Sequence, residues 1–262
     1  IRTDENIKTT TRIIVAPNEP VEIRQIELEN MGQNEEILEI SSLFEPVLSK
    51  KEQEYAHPAF NNLFLKYNYD EETNAILVER NKRGNERAIY LGTSLYTENE
   101  TIGDLEYEID KQKLYSRGNI KIPKMIENSI PFSNNLGFVT DPVIAQKRTI
   151  KIKPNEKIKL NLIIAISENK DDIKTNIKKY QNSEKITRTF ELSRARVEEE
   201  NRYLGIRGKD IEKYQKLLSF ILFQNPTKKL YLKNMNKNNY CQADLWKYGI
   251  SGDLPILTVS IK

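Results

Sequence analysis

The sequence predicts a mainly β fold, a large antiparallel β-sandwich followed by linker α-helices, and three observations carry that reading. Up to about residue 168, short apolar or alternating runs are separated by clusters of Pro, Gly, Asn and Asp, the punctuation of strands and turns. Beyond Ser167 the apolar spacing lengthens from a period of about two to one of about 3.6. The length, 262 residues, exceeds the roughly 100 to 200 of a typical domain and leaves room for one large β domain with an appendage.

The strands come first. "TTTRIIVA" runs into the turn Pro17-Asn18-Glu19-Pro20, and "VEIRQIEL" follows, stopped by Asn30-Met31-Gly32. Leu63, Leu65, Tyr67 and Tyr69 alternate and are turned by Asp70 to Asn74 into "AILVER". The clearest alternation is Ile158, Leu160, Leu162, Ile164 and Ile166, introduced by the turn Pro154-Asn155-Glu156. Many short strands at this spacing point to a sandwich or barrel, not to a parallel α/β sheet.

The helices come after. Asn169, Asp171 and Asp172 stand where a first helical turn favours them, and Ile173, Ile177 and Tyr180 share a face. A second helix is predicted from about Ser183 to Leu204, stopped by Gly205. The third has the strongest stripe, Ile211, Tyr214, Leu217, Leu218, Ile221 and Leu222, closed by Asn225-Pro226. A stripe so apolar is expected to be buried against the sandwich. Thr227 to Asp244 is polar and irregular, and "LPILTVSIK" reads as a strand. The predicted organisation is therefore a sandwich over 1–168, a helical linker over 169–226 and a connecting segment over 227–262.

Composition excludes several classes of function. Forty-one basic and 38 acidic side chains are interspersed, for a net charge of +3, so no nucleic-acid partner is indicated. Lys147, Arg148, Lys151 and Lys153 read as a solvated strand face. One cysteine, Cys241, and one histidine, His57, exclude an internal disulfide and argue against a metal site. Asp70, Glu71 and Glu72 lack the spacing and central Gly of a calcium loop, and "RGKD" at Arg207 to Asp210 has too few glycines for a phosphate cradle. No run approaches the roughly 20 apolar residues of a membrane span, and no signal peptide opens the chain. A cytoplasmic, disulfide-free protein is expected, whose parent polypeptide could still be associated with the inner membrane, since Ile1 is not a natural start.

For chemistry, His57 in "AHPAF" is the sole candidate base of the usual type and reads better as a loop or core residue beside Pro58. Glu45, Glu106, Glu108, Asp110 and Asp141 are candidate members of a glycosidase carboxylate pair, but each reads more simply as a solvent-facing strand acid. The unusual segment is "DLWKYGISGDLPI", Asp244 to Ile256. An indole face stacks on the C–H face of a pyranose, a carboxylate accepts from paired hydroxyls, and Gly249 and Gly252 would let backbone approach a ligand. The segment also suits a buried Trp beside a tight turn, and the residues alone leave both readings open.

Leu245-Trp246 followed by Gly249-Ile250-Ser251-Gly252-Asp253-Leu254-Pro255 resembles the signature of glycoside hydrolase family 94, formerly glycosyltransferase family 36. "TRIIVAPNEPVEIRQIELEN" resembles the family's opening strand pair. "HPAFNNLF", "LEYEIDKQKLYSRGN" and "TDPVIAQKRTIKIKPNEK" are similar to stretches of its cyclic β-1,2-glucan synthase branch, so the resemblance covers nearly the whole chain. It implies a supersandwich of the galactose mutarotase-like kind, linker helices, and then an (α/α) barrel beyond Lys262. In the family, inorganic phosphate or another acceptor attacks the anomeric carbon while a barrel Asp protonates the leaving oxygen, with inversion. The resemblance therefore implies no catalytic residue and no cofactor in this chain, with phosphate as a co-substrate of the parent.

Carried over by position, Asp253 matches the acid that bonds the donor sugar's hydroxyls. Lys247 stands where several phosphorylases have a sugar-contacting Arg, a departure that keeps the charge but loses the planar fork. Trp246 adds an aromatic face. Arg117 falls in "YSRGN", where relatives have a Gly-Arg-Gly-Arg-like loop; Asn119 replaces the second Arg. The expected role is the amino-terminal β-sandwich of a β-glucan-active transferase or phosphorylase, shaping the rim of the carbohydrate site and a subunit interface. Its expected partners are β-glucan oligosaccharides, the barrel of the same polypeptide and a second copy in a homodimer. The alternative is a stand-alone carbohydrate-binding or structural module.

Overall fold

The computed structural model describes residues 1–84, 86–116, 121–222 and 239–254. Its chain divides into two compact units, Ile1–Glu198 and Glu199–Lys262.

The first unit is built on two antiparallel sheets, as the turn-punctuated pattern predicts. The large sheet has seven strands in the order β1-β2-β3-β10-β7-β6-β5, where β1 is Arg2–Asp4, β2 Ile7–Val15, β3 Val21–Asn30, β5 Leu65–Asp70, β6 Ala75–Arg80, β7 Tyr90–Tyr96 and β10 Lys157–Ser167. The small sheet has three, β4 (Glu36–Phe44), β9 (Pro142–Ile152) and β8 (Thr101–Asp110), in that order. Leu28, Leu95, Leu160 and Leu162 of the large sheet pack with Leu105, Ile150 and Ile152 of the small one. A second set, Leu65, Tyr67, Ile76 and Val78, meets Tyr107, Ile109 and Ile144. Between these lies a polar clasp: Thr93 Oγ1 donates to Gln146 Oε1 (3.2 Å), and Gln146 Nε2 donates back to Thr93 O (3.2 Å).

The central strands of the large sheet are buried on both faces. Its far side carries Val21, Ile23, Leu77, Ile163 and Ala165, covered by Ile173, Ile177 and Tyr180 of helix α5 (Lys170–Tyr180) and by Ile186 of α6 (Ser183–Tyr203). That is why β10 is more apolar than simple alternation demands: Ile158, Leu160 and Leu162 face the small sheet while Ile163 and Ala165 face the helices. Asn169 caps α5 by accepting from Asp171 N–H (3.0 Å), with Asp171 and Asp172 in the first turn. The predicted face of Ile173, Ile177 and Tyr180 is the one buried, each side chain worth on the order of 2 kcal/mol. Gly92 of β7 allows this close approach, since a Cβ there would lie 2.3 Å from Ile173 Cγ2. Ion pairs Lys174–Asp70, Lys178–Glu72 and Lys179–Glu19 edge the helix, and Tyr180 donates to Glu19 Oε2 (2.6 Å).

Among the described residues four short helices interrupt the strand region: α1 (Lys51–Ala56), α2 (Pro58–Asn62), α3 (Lys111–Tyr115) and α4 (Lys124–Glu127). The strand reading of 1–168 missed them, although Pro58 at the first position of α2 is a sequence-level start signal. Around α3 and α4, Leu114 and Phe132 cover Val143 and Ala145 on the outer face of the small sheet. This overturns the solvated-face reading for two of the four cations, Lys147 and Arg148. Lys151 and Lys153 are exposed, but the Lys147 side chain is 1% exposed, paired with Glu106 (3.2 Å) and Glu39 (3.5 Å). It also donates to Ile130 O (3.3 Å) and lies 4.9 Å from the Phe132 ring centroid. Arg148, on the opposite face, bridges the sheets by donating Nε–H to Leu95 O (2.7 Å), and burial holds its pKa below the usual arginine value.

In the second unit, α7 (Gly208–Leu222) is the predicted third helix, with Ile211 and Leu217 half-buried within it and Tyr214, Leu218 and Leu222 exposed. The predicted final strand from Pro255 onward lies outside the described residues, as does most of the irregular stretch after Thr227. Among the described residues no helix is long and apolar enough to cross a membrane.

Candidate functional site

Residues 240–254 fold into a turn of helix and a tight return. Cys241 N–H donates to Asp244 Oδ2 (2.8 Å), and α8 (Ala243–Trp246) follows. Gly249, at φ +73°, ends it with a Schellman pair: Gly249 N–H donates to Trp246 O (2.9 Å) and Ile250 N–H to Leu245 O (3.3 Å). The first glycine of the Gly-Ile-Ser-Gly-Asp string is thus a helix stop. Gly252, also at φ +73°, sits against the start of the segment, where a Cβ would meet Gln242 Cγ at 2.9 Å and Leu245 Cδ1 at 3.1 Å. Both glycines serve the local fold before any ligand is considered.

This return joins two of the four residues that the sequence singles out for sugar contact, Trp246 and Asp253. Ser251 O accepts from Trp246 Nε1–H (3.2 Å) and from Gln242 Nε2 (2.9 Å), and the same Gln242 nitrogen donates to Asp253 Oδ1 (2.9 Å). The indole is anchored by its N–H yet 65% exposed, which answers the question left open by the sequence: Trp246 is not buried. Asp253 is exposed, with Ser251 Oγ accepting from its backbone N–H at 3.4 Å. Lys247 lies beside Tyr240 and Tyr248, its Nζ 5.9 and 5.2 Å from the ring centroids. Those three residues, with Gln242, Asp244 and Leu245, line an open concavity of about 560 Å³. Trp246 and Asp253 do not line it.

The arrangement presents an oriented aromatic face, a carboxylate with one oxygen already held by an amide, and an ammonium beside two more aromatic rings. Such groups suit a neutral polyol, through C–H stacking and charge-assisted hydrogen bonds. Arg117, the fourth predicted contact, lies outside the described residues. Gln242 was not legible in the sequence, because an amide bridging residues nine and eleven positions away leaves no pattern. Tyr240 could have been found as one more aromatic just upstream of the segment.

The other candidate chemistries resolve into structure. His57 is an exposed junction between α1 and α2, its carbonyl accepting from Asn61 N–H (3.1 Å). Glu108, read as a solvent-facing acid, is fully buried, accepting from Ile109 N–H (2.9 Å), Asp110 N–H (3.0 Å) and Ser133 Oγ–H (2.6 Å). Glu106 pairs with Lys147 and accepts from Phe132 N–H (2.8 Å). Asp110 caps α3 through Gln112 N–H (2.9 Å), Glu45 pairs with Lys111 (2.8 Å), and Asp141 O accepts from Lys111 N–H (3.0 Å). The carboxylates of Glu45, Glu106, Glu108 and Asp110 thus have structural tasks, whereas Asp141 contributes through its main-chain carbonyl.

Comparison with known proteins adds two findings. A family model described as "Glycosyl hydrolase 94, supersandwich domain" matches residues 1–183. A cyclic beta-(1,2)-glucan synthase, NdvB of Rhizobium meliloti (strain 1021), is 22% identical over 263 aligned residues that take in 100% of this chain. The chain spans 9% of that protein's length.

Proposed function

Because this chain belongs to glycosyl hydrolase family 94 through its supersandwich domain, we propose that it is the amino-terminal β-sandwich of a β-glucan-active glycosyltransferase or phosphorylase. In this reading the enzyme is of the cyclic β-1,2-glucan synthase kind, its sandwich is galactose mutarotase-like, and residues 240–254 supply one wall of the carbohydrate site.

The observation that supports a binding role is the pinning of Trp246 and Asp253 through Ser251 and Gln242. A tethered indole loses little freedom when a pyranose stacks on it, and a carboxylate already holding one amide hydrogen keeps its other oxygen for sugar hydroxyls. Lys247 would donate to a ring or exocyclic oxygen. One wall gives little affinity by itself, since hydroxyls that leave water need replacement bonds on every side. The proton donor to the leaving oxygen and the phosphate or sugar acceptor are assigned by this reading to a further domain of the same polypeptide.

The test is substitution in the full-length enzyme. Asp253→Asn is expected to keep the fold while lowering kcat/KM for β-glucan transfer or phosphorolysis by about 2 to 4 kcal/mol of transition-state stabilisation. Trp246→Ala should raise KM. Full activity of the Asp253→Asn enzyme, or turnover by the 262-residue chain alone, would refute the assignment. Glucan binding by the isolated chain as tight as that of the full-length protein would instead favour a stand-alone carbohydrate-binding module.

A further inference from the structure

A second candidate site lies within the first unit, between α1 and the loop that follows β6. A cavity of about 530 Å³ opens there with Leu48 and Ile89 among its lining. Among the described residues four cations line it, Lys50, Arg80, Arg83 and Arg87, against one carboxylate, Glu86. That carboxylate is already engaged, accepting from Gln53 Nε2 (3.2 Å) and from Arg83 N–H (3.1 Å), with Arg80 Nε 3.7 Å away. Arg87 is paired outside the cavity lining with Glu168 (3.1 Å).

The two remaining arginines are held by different means. Arg80 has a side chain only 5% exposed. Its guanidinium donates to Asn61 O and Asn61 Oδ1, both at 3.3 Å, and Asn61 is fixed in turn by donating Nδ2–H to Gln53 O (2.8 Å). This is a buried, pre-oriented positive charge whose hydrogen-bond partners are neutral and whose one carboxylate neighbour, Glu86, is shared with Gln53 and the Arg83 N–H. Arg83 is exposed and stacks over two rings, 4.9 Å from the Phe60 centroid and 5.2 Å from that of Phe64. Aromatic faces orient a guanidinium without neutralising it, so its N–H edges stay available to an oxyanion. Among the described residues neither the Arg83 guanidinium nor Lys50 has a carboxylate partner within ion-pairing distance.

A cavity with net positive charge, an immobilised guanidinium and a second one poised at its rim matches a tetrahedral oxyanion, which accepts from several N–H groups at once. Its volume is more than a bare anion requires, and the Leu48 and Ile89 side chains suit the body of a small organic molecule. We propose that this cavity is a binding site for a phosphoryl group, either as inorganic phosphate or as a small sugar phosphate, with Arg83 and Lys50 as its adjustable contacts and Arg80 as its fixed charge. The proposal stands apart from the carbohydrate reading of residues 240–254 and does not depend on it.

Isothermal titration of the 262-residue chain tests it, with inorganic phosphate, glucose 1-phosphate and glucose at matched ionic strength. Saturable binding of phosphate, of glucose 1-phosphate or of both is expected, and none of glucose. Tighter binding of the sugar phosphate would place its sugar against Leu48 and Ile89. Arg83→Ala and Lys50→Ala, both at exposed positions, should each weaken binding at least about fivefold without altering the melting temperature, and Arg83→Lys should recover part of the loss. Lys216→Ala on α7 should leave binding unchanged. The proposal is overturned if neither phosphate nor glucose 1-phosphate binds, if glucose binds as well as its phosphate, or if Arg83→Ala and Lys50→Ala bind like the parent chain.

Discussion

Replacing Gly92 by Ala tests how α5 is seated on the large sheet. Gly92 does not have a positive φ, so the backbone itself accepts a side chain and only the neighbours oppose one. The new Cβ would stand 2.3 Å from Ile173 Cγ2 and 2.7 Å from Ile177 Cδ1, where carbon atoms rest at about 3.5 to 4.0 Å. Ile177 Cδ1 ends a flexible chain and can swing away. Ile173 Cγ2 hangs directly on Cβ, and a β-branched residue in a helix has one strongly preferred χ1, so the helix itself must retreat by about 1 Å. Overpacking of this kind costs about 1 to 3 kcal/mol. The stiffer unfolded chain returns about 0.5 to 1 kcal/mol of that. A contact as short as 2.3 Å belongs to the costly end of the overpacking range, so a net loss of about 1 to 2.5 kcal/mol should lower Tm by roughly 2 to 10 °C in a protein of this size. Urea unfolding followed by circular dichroism measures it. Ile173→Ala alone should cost about 2 to 5 kcal/mol, but combined with Gly92→Ala it should cost less than the sum, because the clashing methyl is gone. A Gly92→Ala chain as stable as its parent, or simple additivity in the double variant, would refute this account of the packing.

Three further outcomes are expected. Lys147→Met should destabilise the first unit by about 2 to 3 kcal/mol in urea, somewhat below the usual range for breaking a buried pair because Glu39 and Glu106 keep partial access to water; an unchanged midpoint would show the pair to be idle. Glu19 is held below the usual carboxylate range by hydrogen bonds from Lys179 first and then from Tyr180. Its folded pKa is therefore the lower one: its contribution is complete above the unfolded value of about 4.3 and is lost as pH falls through the folded pKa. Glu19→Gln should flatten that acid-side decline in Tm, and an identical pH profile would count against the contact. Trp246 is the sole tryptophan and 65% exposed, so acrylamide should quench its fluorescence nearly as freely as that of a model indole. Strong protection in the isolated chain would contradict the exposed placement.

The sheet class, most turns and the α5 face were legible in the sequence because each is written in neighbouring residues. Pro17 to Pro20 and Pro154 to Glu156 do turn their strands, and Ile173, Ile177 and Tyr180 are spaced to meet one surface. Within the candidate site, Trp246, Lys247 and Asp253 could be picked out by residue type and motif, but the tether through Gln242 and Ser251 could not.

What the tertiary structure alone decided is which faces are covered. Lys147 and Lys151 project to the same side of β9, four residues apart, yet one is buried and the other exposed. The difference comes from the region of α3 and α4, with Leu114 and Phe132, lying over one end of the small sheet and not the other. Gly92 likewise looks like any strand glycine until a helix some eighty residues later is laid across it. Periodicity is a property of a few adjacent side chains, set by backbone geometry that each segment carries with it. Burial is a property of two surfaces, and the second surface belongs to residues distant in the chain, whose arrival depends on the free energy of the whole fold.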